Sequence, residues 1–339
     1  MNLIKNIAFF CIIAPLCLQG LSPWILPTSD RRYDHIAFLC SHNSFSNQAD
    51  GYIQPQQKWS IQEQLDNGIR SFMLDTYYSC NIFGRNCNVN LCHNNCTLTE
   101  TILRPFKGNA PRLVTALKTI ADFLDKNPKE IITIFLENYV DKKYIDASVE
   151  EIPEFKKYVL APYEWDSELK KGWPLLSWMQ QQNKRVVIFN SKEGTKYTYF
   201  EWAFHAENIY SEVNLKDICM QRKTSREETG KHPRYLYVMN FFPEFYIKGT
   251  EKKLQGYDFD KINNEILRTA LNQCLDQGLD KEGLYKKRYP NFIALDFVNQ
   301  GDAMAIINEL NAMANDPVKR DTMFAPLEPV PNLPKTKAK

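Results

Sequence analysis

The chain has 339 residues, of which 44% are hydrophobic and 24% charged, with a formal net charge of +2. This is the balance of a globular protein with apolar material for a sizeable core, and it excludes a disordered or collagen-like chain. A net charge this small gives no field argument for nucleic acid, and no Lys/Arg stripe interleaved with aromatics is present, so nucleic acid is not an expected partner.

The first twenty residues read as an export signal. Lys5 supplies a positive charge, residues 6–18 are almost wholly apolar, and Gln19-Gly20 breaks the run, with cleavage expected near Gly20. An apolar stretch of ~13 residues is short for a membrane span of ~20. Ala14-Pro15-Leu16-Cys17 is a poor lipoprotein box. The mature protein is therefore expected to be secreted and soluble.

After the signal, short apolar runs alternate with helical patterns. Residues 35–40 (HIAFLC) read as a strand, 61–65 as a short helix ended by Asn67-Gly68, 69–74 (IRSFML) as a second strand and 89–92 as a short third. Leu113, Leu117, Ile120 and Leu124 recur at helical spacing up to Asn127-Pro128. Residues 131–136 (IITIFL) form a continuous apolar strand, the pattern of a strand covered on both faces. A helix over 175–179 precedes a fifth strand at 185–189, with a weak sixth at 206–210 and a seventh at 235–239. Residues 262–275 read as helix, 292–295 as the eighth strand, and Gly301-Asp302 opens a helix carrying Ile306, Ile307 and Leu310. About eight strands with helices between most of them predict a parallel α/β fold. No glycine-rich dinucleotide loop or P-loop occurs, which favours a closed barrel over an open sheet. The Pro/Lys-rich tail 326–339 is expected to be disordered.

Seven cysteines follow the signal segment. Cys80, Cys87, Cys92 and Cys96 crowd together and predict two local disulfides in an oxidising compartment, with a structural zinc site as the alternative. Cys219 and Cys274 are candidates for a third bridge, and Cys40 is expected to be a buried free thiol. Asn95-Cys96-Thr97 is a glycosylation acceptor motif.

In a β/α barrel the chemistry gathers at the C-terminal ends of the strands. Here those ends deliver Ser41-His42-Asn43-Ser44, Asp75, His93, Glu137-Asn138, Asn190-Ser191-Lys192, Asn240 and Asp296. His42 and His93 suit a proton acceptor and a proton donor, because imidazole titrates near neutrality. They can meet only if the barrel closes. His35, His205 and His232 have no comparable setting. Asn43, Asp75 and Glu137 offer hard oxygen ligands for calcium or magnesium. A hydrogen-bond network without metal, or a centre using the histidines directly, is the alternative. Asp296 is a candidate for orienting His42. Asn190, Lys192 and Arg70 are carried as candidate substrate-binding residues, with simple solvation of Lys192 and a structural role for Arg70 left open.

These motifs match a family. Ser41-His42-Asn43-Ser44, then Gln64-Leu65-Asp66-Asn67-Gly68-Ile69-Arg70 running into Met73-Leu74-Asp75, then Leu91-Cys92-His93, then Asn127-Pro128-Lys129-Glu130 leading to Phe135-Leu136-Glu137-Asn138, resemble the X domain of phosphoinositide-specific phospholipase C. The likeness extends more weakly through Phe189-Asn190-Ser191-Lys192 and Pro290-Asn291-Phe292 to Asp296-Phe297. The resemblance implies an irregular (β/α)8 TIM-type barrel over residues 21–325. It implies His42 as general base and His93 as general acid, and Asn43, Asp75 and Glu137 as ligands of calcium (Ca2+). Calcium-dependent members carry a further glutamate where this chain has Met73. The implied activity is that of a phosphoric diester hydrolase acting on a phosphoinositide or related lipid, as a monomer in transient contact with a membrane surface. Cleavage of another glycerophospho- or sphingolipid is one alternative. A lipid- or glycan-binding barrel that has lost catalysis is the other.

Overall fold

The computed structural model describes residues 21–323 apart from 29, 53–54, 81–84, 86, 94–95, 97–109, 166–172, 210–216, 221, 223–235, 243–257 and 279–287. Residues 1–20 (read as an export signal), the tail 326–339, His232 and Asn95 of the expected acceptor motif lie outside the described residues. The strands are β1 Phe38–Ser41, β2 Ser71–Ser79, β3 Asn88–Leu91, β4 Ile132–Asn138, β5 Val186–Asn190, β6 Tyr199–Phe200, β7 His205–Glu207, β8 Leu236–Asn240 and β9 Phe292–Leu295. Eight of them lie in the order β6-β5-β4-β2-β1-β9-β8-β7, every pairing along that path parallel. The edge strands β6 and β7 are joined by one short turn, Glu201–Ala203. The sheet is thus curled into an irregular TIM-type barrel.

Two strand expectations are corrected. Residues 89–92 are not a barrel strand: β3 runs antiparallel to β2, off the parallel path. The missing barrel member is the two-residue β6, too short to leave a periodic signal, and the weak sixth strand begins at His205.

The strands are apolar on both faces because each face meets a different core. Phe38, Cys40, Phe135, Val187, Phe189, Val238, Phe292 and Ala294 point into the barrel and pack with Tyr33 and Trp173. Leu39, Phe72, Leu74, Ile134, Leu136, Ile188 and Ile293 point outward. There they meet helices α1 Ile61–Asp66, α2 Leu113–Lys126, α3 Leu267–Gln277 and α4 Ala303–Met313. Strand side chains alternate faces, so the inward set continues beyond the apolar layer to His42, Asp75, Glu137, Glu207, Asn240 and Asp296. The register agrees, with Met73 opposite Phe135 and Asp75 opposite Glu137.

The disulfides Cys80–Cys87, Cys92–Cys96 and Cys219–Cys274 form, which removes the zinc alternative, and Cys40 is a buried free thiol. Burial pushes the Cys40 thiol up to about 12, so it is not a nucleophile near neutrality.

Helix α1 opens with a reciprocal Ser60–Glu63 capping box and ends at Gly68, whose φ is +91°. A Cβ at Gly68 would lie 2.5 Å from Trp24 Cβ. Gly68→Ala is therefore expected to destabilise the fold by about 1–3 kcal/mol, measured as a lower denaturant midpoint; an unchanged midpoint would contradict this packing.

Candidate active site

His42 directly follows β1 and is fixed on three sides. Its Nδ1 lies 2.8 Å from Asp296 Oδ1, at the end of the neighbouring β9. Its ring stacks on Phe242 with centroids 3.6 Å apart and planes within 2°. Its backbone N–H donates to the Leu295 carbonyl, and Gln57 Nε2 donates to the carbonyls of His42 and Leu295. Asn43 and Phe297, the residues after His42 and Asp296, both adopt positive φ, at 43° and 47°. Such backbone costs free energy outside glycine and is retained where surrounding contacts enforce it. Here Ser46 N–H donates to the Asn43 carbonyl and Asn263 Nδ2 donates to the carbonyls of Asp296 and Phe297.

His93 follows β3, and its Nδ1 lies 2.8 Å from Asp75 Oδ2. Asp75 is buried while the His93 side chain is 55% exposed. Burial raises the Asp75 carboxyl, Glu137 raises it further, and the charges of both His93 and His42 draw it down. His42 directly follows β1, the strand beside β2 that carries Asp75, the partner of His93, so the two expected residues lie on one rim. The hydrogen bond to Asp75 raises His93 above the ordinary imidazole value. Burial raises Asp296, against the pull of His42.

Asn43, Asp75 and Glu137 are the residues that would hold a cation. Asp75 and Glu137 are paired neighbours across β2 and β4. Glu137 accepts a hydrogen bond from the Tyr139 hydroxyl, and burial together with Glu137 pushes that phenol upward. Asn43 is 1% exposed and its amide Nδ2 has no hydrogen-bond partner. Two mutually repelling carboxylates fit a hard cation in kind, whereas the unpartnered Nδ2 of Asn43 is a donor and adds nothing to that fit; only its Oδ1 could serve as a ligand. With Met73 in the fourth position the charge count is low, and among the described residues no group of three or more His, Cys, Asp or Glu forms a metal-holding cluster.

Three other expected residues are not brought to the histidines. Arg70 lies at the opposite end of β2, where its guanidinium pairs bidentately with Glu130 and donates to the Leu65 and Ile69 carbonyls. Asn190 has the outward parity of Ile188, and its Oδ1 accepts from Asn138 Nδ2 and from the Lys192 backbone N–H. Lys192 Nζ donates to the Val140 carbonyl. The placement expected for Arg70 is thereby corrected, while the bonded atoms of Asn190 and Lys192 are engaged at the end of β5 and the Asn190 Nδ2 has no partner.

The sequence reading missed several residues around the site. Gln57 and Phe242 hold His42, and the pair of apolar residues directly after Asn240 was the available signal for Phe242. Glu201 and Glu207 are buried near Arg222, which pairs with Glu207. Burial pushes Glu201 up to about 8, with Glu137 adding to the effect. The alternation in His205-Ala206-Glu207 was the signal for Glu207. His205 itself is buried among Phe135, Phe189 and Trp202, and burial lowers it to about 4.

The sequence model of the PI-PLC X family (PI-PLC X 1) matches residues 28–311. A PI-PLC X domain-containing protein of Arabidopsis thaliana is 28% identical over 322 residues, covering 90% of this chain and 67% of that protein. PI-PLC X domain-containing protein 1 of Arthroderma benhamiae is 26% identical over 295 residues, covering 84% of this chain and 87% of its own length. Among solved structures, phosphatidylinositol-specific phospholipase C from Listeria monocytogenes superposes with a TM-score of 0.50 at 16% identity, covering 84% of this chain and 95% of that one. The structural likeness carries the fold.

The His93–Asp75 hydrogen bond has a definite pH signature. Because the folded-state value of His93 is raised, its protonated form stabilises the fold fully below the ordinary imidazole value of 6.5, and that contribution is lost as pH rises through the raised value. In metal-free protein, ring-proton shifts of His93 are expected to titrate above 6.5 and to move back towards it in Asp75→Asn. A His93 titration untouched by Asp75→Asn would contradict the pairing.

Proposed function

The chain belongs to the PI-PLC X domain family, and from that premise we propose that it is a phospholipase-C-like phosphodiesterase that cleaves a phosphoinositide or related phosphodiester lipid by paired histidine acid–base catalysis. The observation that carries the reading is the pair of His–Asp units, His42–Asp296 and His93–Asp75, at the C-terminal side of the adjacent strands β9, β1 and β2. In each unit a buried carboxylate engages Nδ1, which leaves Nε2 for the substrate.

His42, with its Nδ1 proton held by Asp296, accepts at Nε2 the proton of the inositol 2-hydroxyl as that oxygen attacks phosphorus. His93, protonated in its hydrogen bond to Asp75, gives its Nε2 proton to the departing diacylglycerol oxygen. Atoms balance: one P–O bond forms to the ring oxygen, one breaks to the glyceride, and a cyclic phosphate leaves with the headgroup. Phe242 keeps the His42 ring in one plane, so the acceptor nitrogen keeps its direction.

Asn43, Asp75 and Glu137 are proposed to hold calcium. A bound ion supplies neutralisation of charge on the phosphoryl oxygens. Secretion fits the three disulfides, since such bridges persist in oxidising compartments. No helix of the described residues is long and apolar enough to cross a membrane, and contact with a lipid surface is proposed to be transient.

His42→Ala and His93→Ala are each expected to lower turnover of phosphatidylinositol vesicles by ~10²–10⁴-fold, measured in folded protein whose thermal stability falls because Asp296 or Asp75 loses its partner. Near-normal turnover in either purified variant would overturn the acid–base assignment. Calorimetric titration is expected to show calcium binding in the weak class of about 10⁻⁴–10⁻³ M, lost in Asp75→Asn. No heat of binding, together with activity unchanged by a chelator, would refute the metal role.

A further inference from the structure

His42 and His93 are held by different means. His42 is clamped by a stacked ring, a buried carboxylate and two hydrogen-bonded carbonyls, and its side chain is 20% exposed. His93 has none of that packing. It follows a four-residue strand that lies off the barrel path, laddered to β2 and tied on its other side by a single bridge, Asn90 to Arg112, with the Leu91 N–H donating to the Pro111 carbonyl. Among the described residues no aromatic ring stacks on it. Among those residues its ring makes one hydrogen bond, to Asp75, and more than half of its side chain faces solvent. One contact on an exposed imidazole leaves a ring free to swing, and a proton donor must be held near the oxygen it serves.

What the weak packing lacks, the covalent structure supplies. Cys92 and Cys96 are bonded, so His93 is the second residue of a five-residue ring. The ring is anchored to the barrel: both cysteines are buried, and the Cys92 backbone N–H donates to the carbonyl of Asp75, whose side chain receives His93. We propose that the Cys92–Cys96 disulfide is the positioning element for His93, fixing the direction of its imidazole towards the leaving group. This rests on the reading of His93 as proton donor. With its sulfurs buried, the bond is a fixed brace and not a labile switch. It forms once, when the two thiols pass two electrons and two protons to a disulfide oxidant of the export compartment, which is reduced to two thiols. Before that step the chain carries the acid residue without the means to aim it.

The test separates positioning from general damage by varying the leaving group. Phosphatidylinositol releases an alkoxide that needs a proton, whereas myo-inositol 1-(4-nitrophenyl phosphate) releases a nitrophenolate that departs without one. If the ring aims His93, Cys92→Ser/Cys96→Ser lowers kcat on phosphatidylinositol by about 10-fold or more while kcat on the nitrophenyl probe changes by less than about 2-fold. His93→Ala gives the same pattern, and combining it with the double serine variant adds no further loss. Should the serine variant fail to fold, one glycine inserted directly before Cys96 keeps the bond but enlarges the ring, and it is expected to show the same selectivity. An equal fall on both probes, or no fall on either, overturns the proposal. If His93→Ala itself does not distinguish the two leaving groups, the reading of His93 as the acid fails first, independently of the disulfide.

Discussion

A carboxylate taken out of water needs a partner, and the rim of this barrel meets that need twice with imidazole. Asp296 is 1% exposed and Asp75 3% exposed, and each is bonded at 2.8 Å to a histidine from a neighbouring chain segment. Leaving either carboxylate buried without its hydrogen-bond partner would cost about 1–3 kcal/mol. Strand alternation sets up the demand. The inward positions turn from apolar to acidic or amide towards the C-terminal side of the strands, at Asp75, Glu137, Asn240 and Asp296. Strand order puts β1, β2 and β4 side by side, and that adjacency lets His42, after β1, share one electrostatic neighbourhood with Asp75 of β2 and Glu137 of β4.

Asp75 stands at the centre of this arrangement. One of its oxygens holds His93, and its carboxyl sits opposite Glu137 across a parallel ladder. A cation between Asp75 and Glu137 would relieve their mutual repulsion without displacing His93, because each carboxylate has a second oxygen. The replacement of the family's further glutamate by Met73 removes one negative charge from that set. The acid–base units are therefore the stronger half of the site and the metal position the weaker. The asymmetry extends to the histidines: packing and strained backbone fix His42, and a covalent ring carries His93.

Much of the architecture was legible because parallel strands covered on both faces read as unbroken apolar runs, as residues 131–136 do. The polar residue after each run marked the rim, and His42, Asp75, Glu137 and Asp296 were found that way. The same property hid the facing of side chains. In a run buried on both sides, the sequence does not say which parity points inward, so Asn190 looked as available as Glu137 although its neighbour Phe189 takes the interior place. Arg70 precedes its strand, and that position alone puts it at the far end of the barrel. The antiparallel course of β3 was invisible, since a four-residue apolar run reads alike in either direction. Gln57 reaches His42 through a contact that no local pattern encodes, and the apolar pair after Asn240 marks Phe242 without saying which ring it stacks on.

The central claim is that the attacking group is a hydroxyl of the substrate, deprotonated by His42 while His93 protonates the leaving oxygen. Turnover of phosphatidylinositol in water enriched in oxygen-18, followed by phosphorus NMR and mass spectrometry of the first headgroup product, tests it most directly. The account predicts a cyclic phosphate containing no solvent oxygen. A first product that is an open monoester carrying one solvent oxygen would mean direct attack by water and would contradict it.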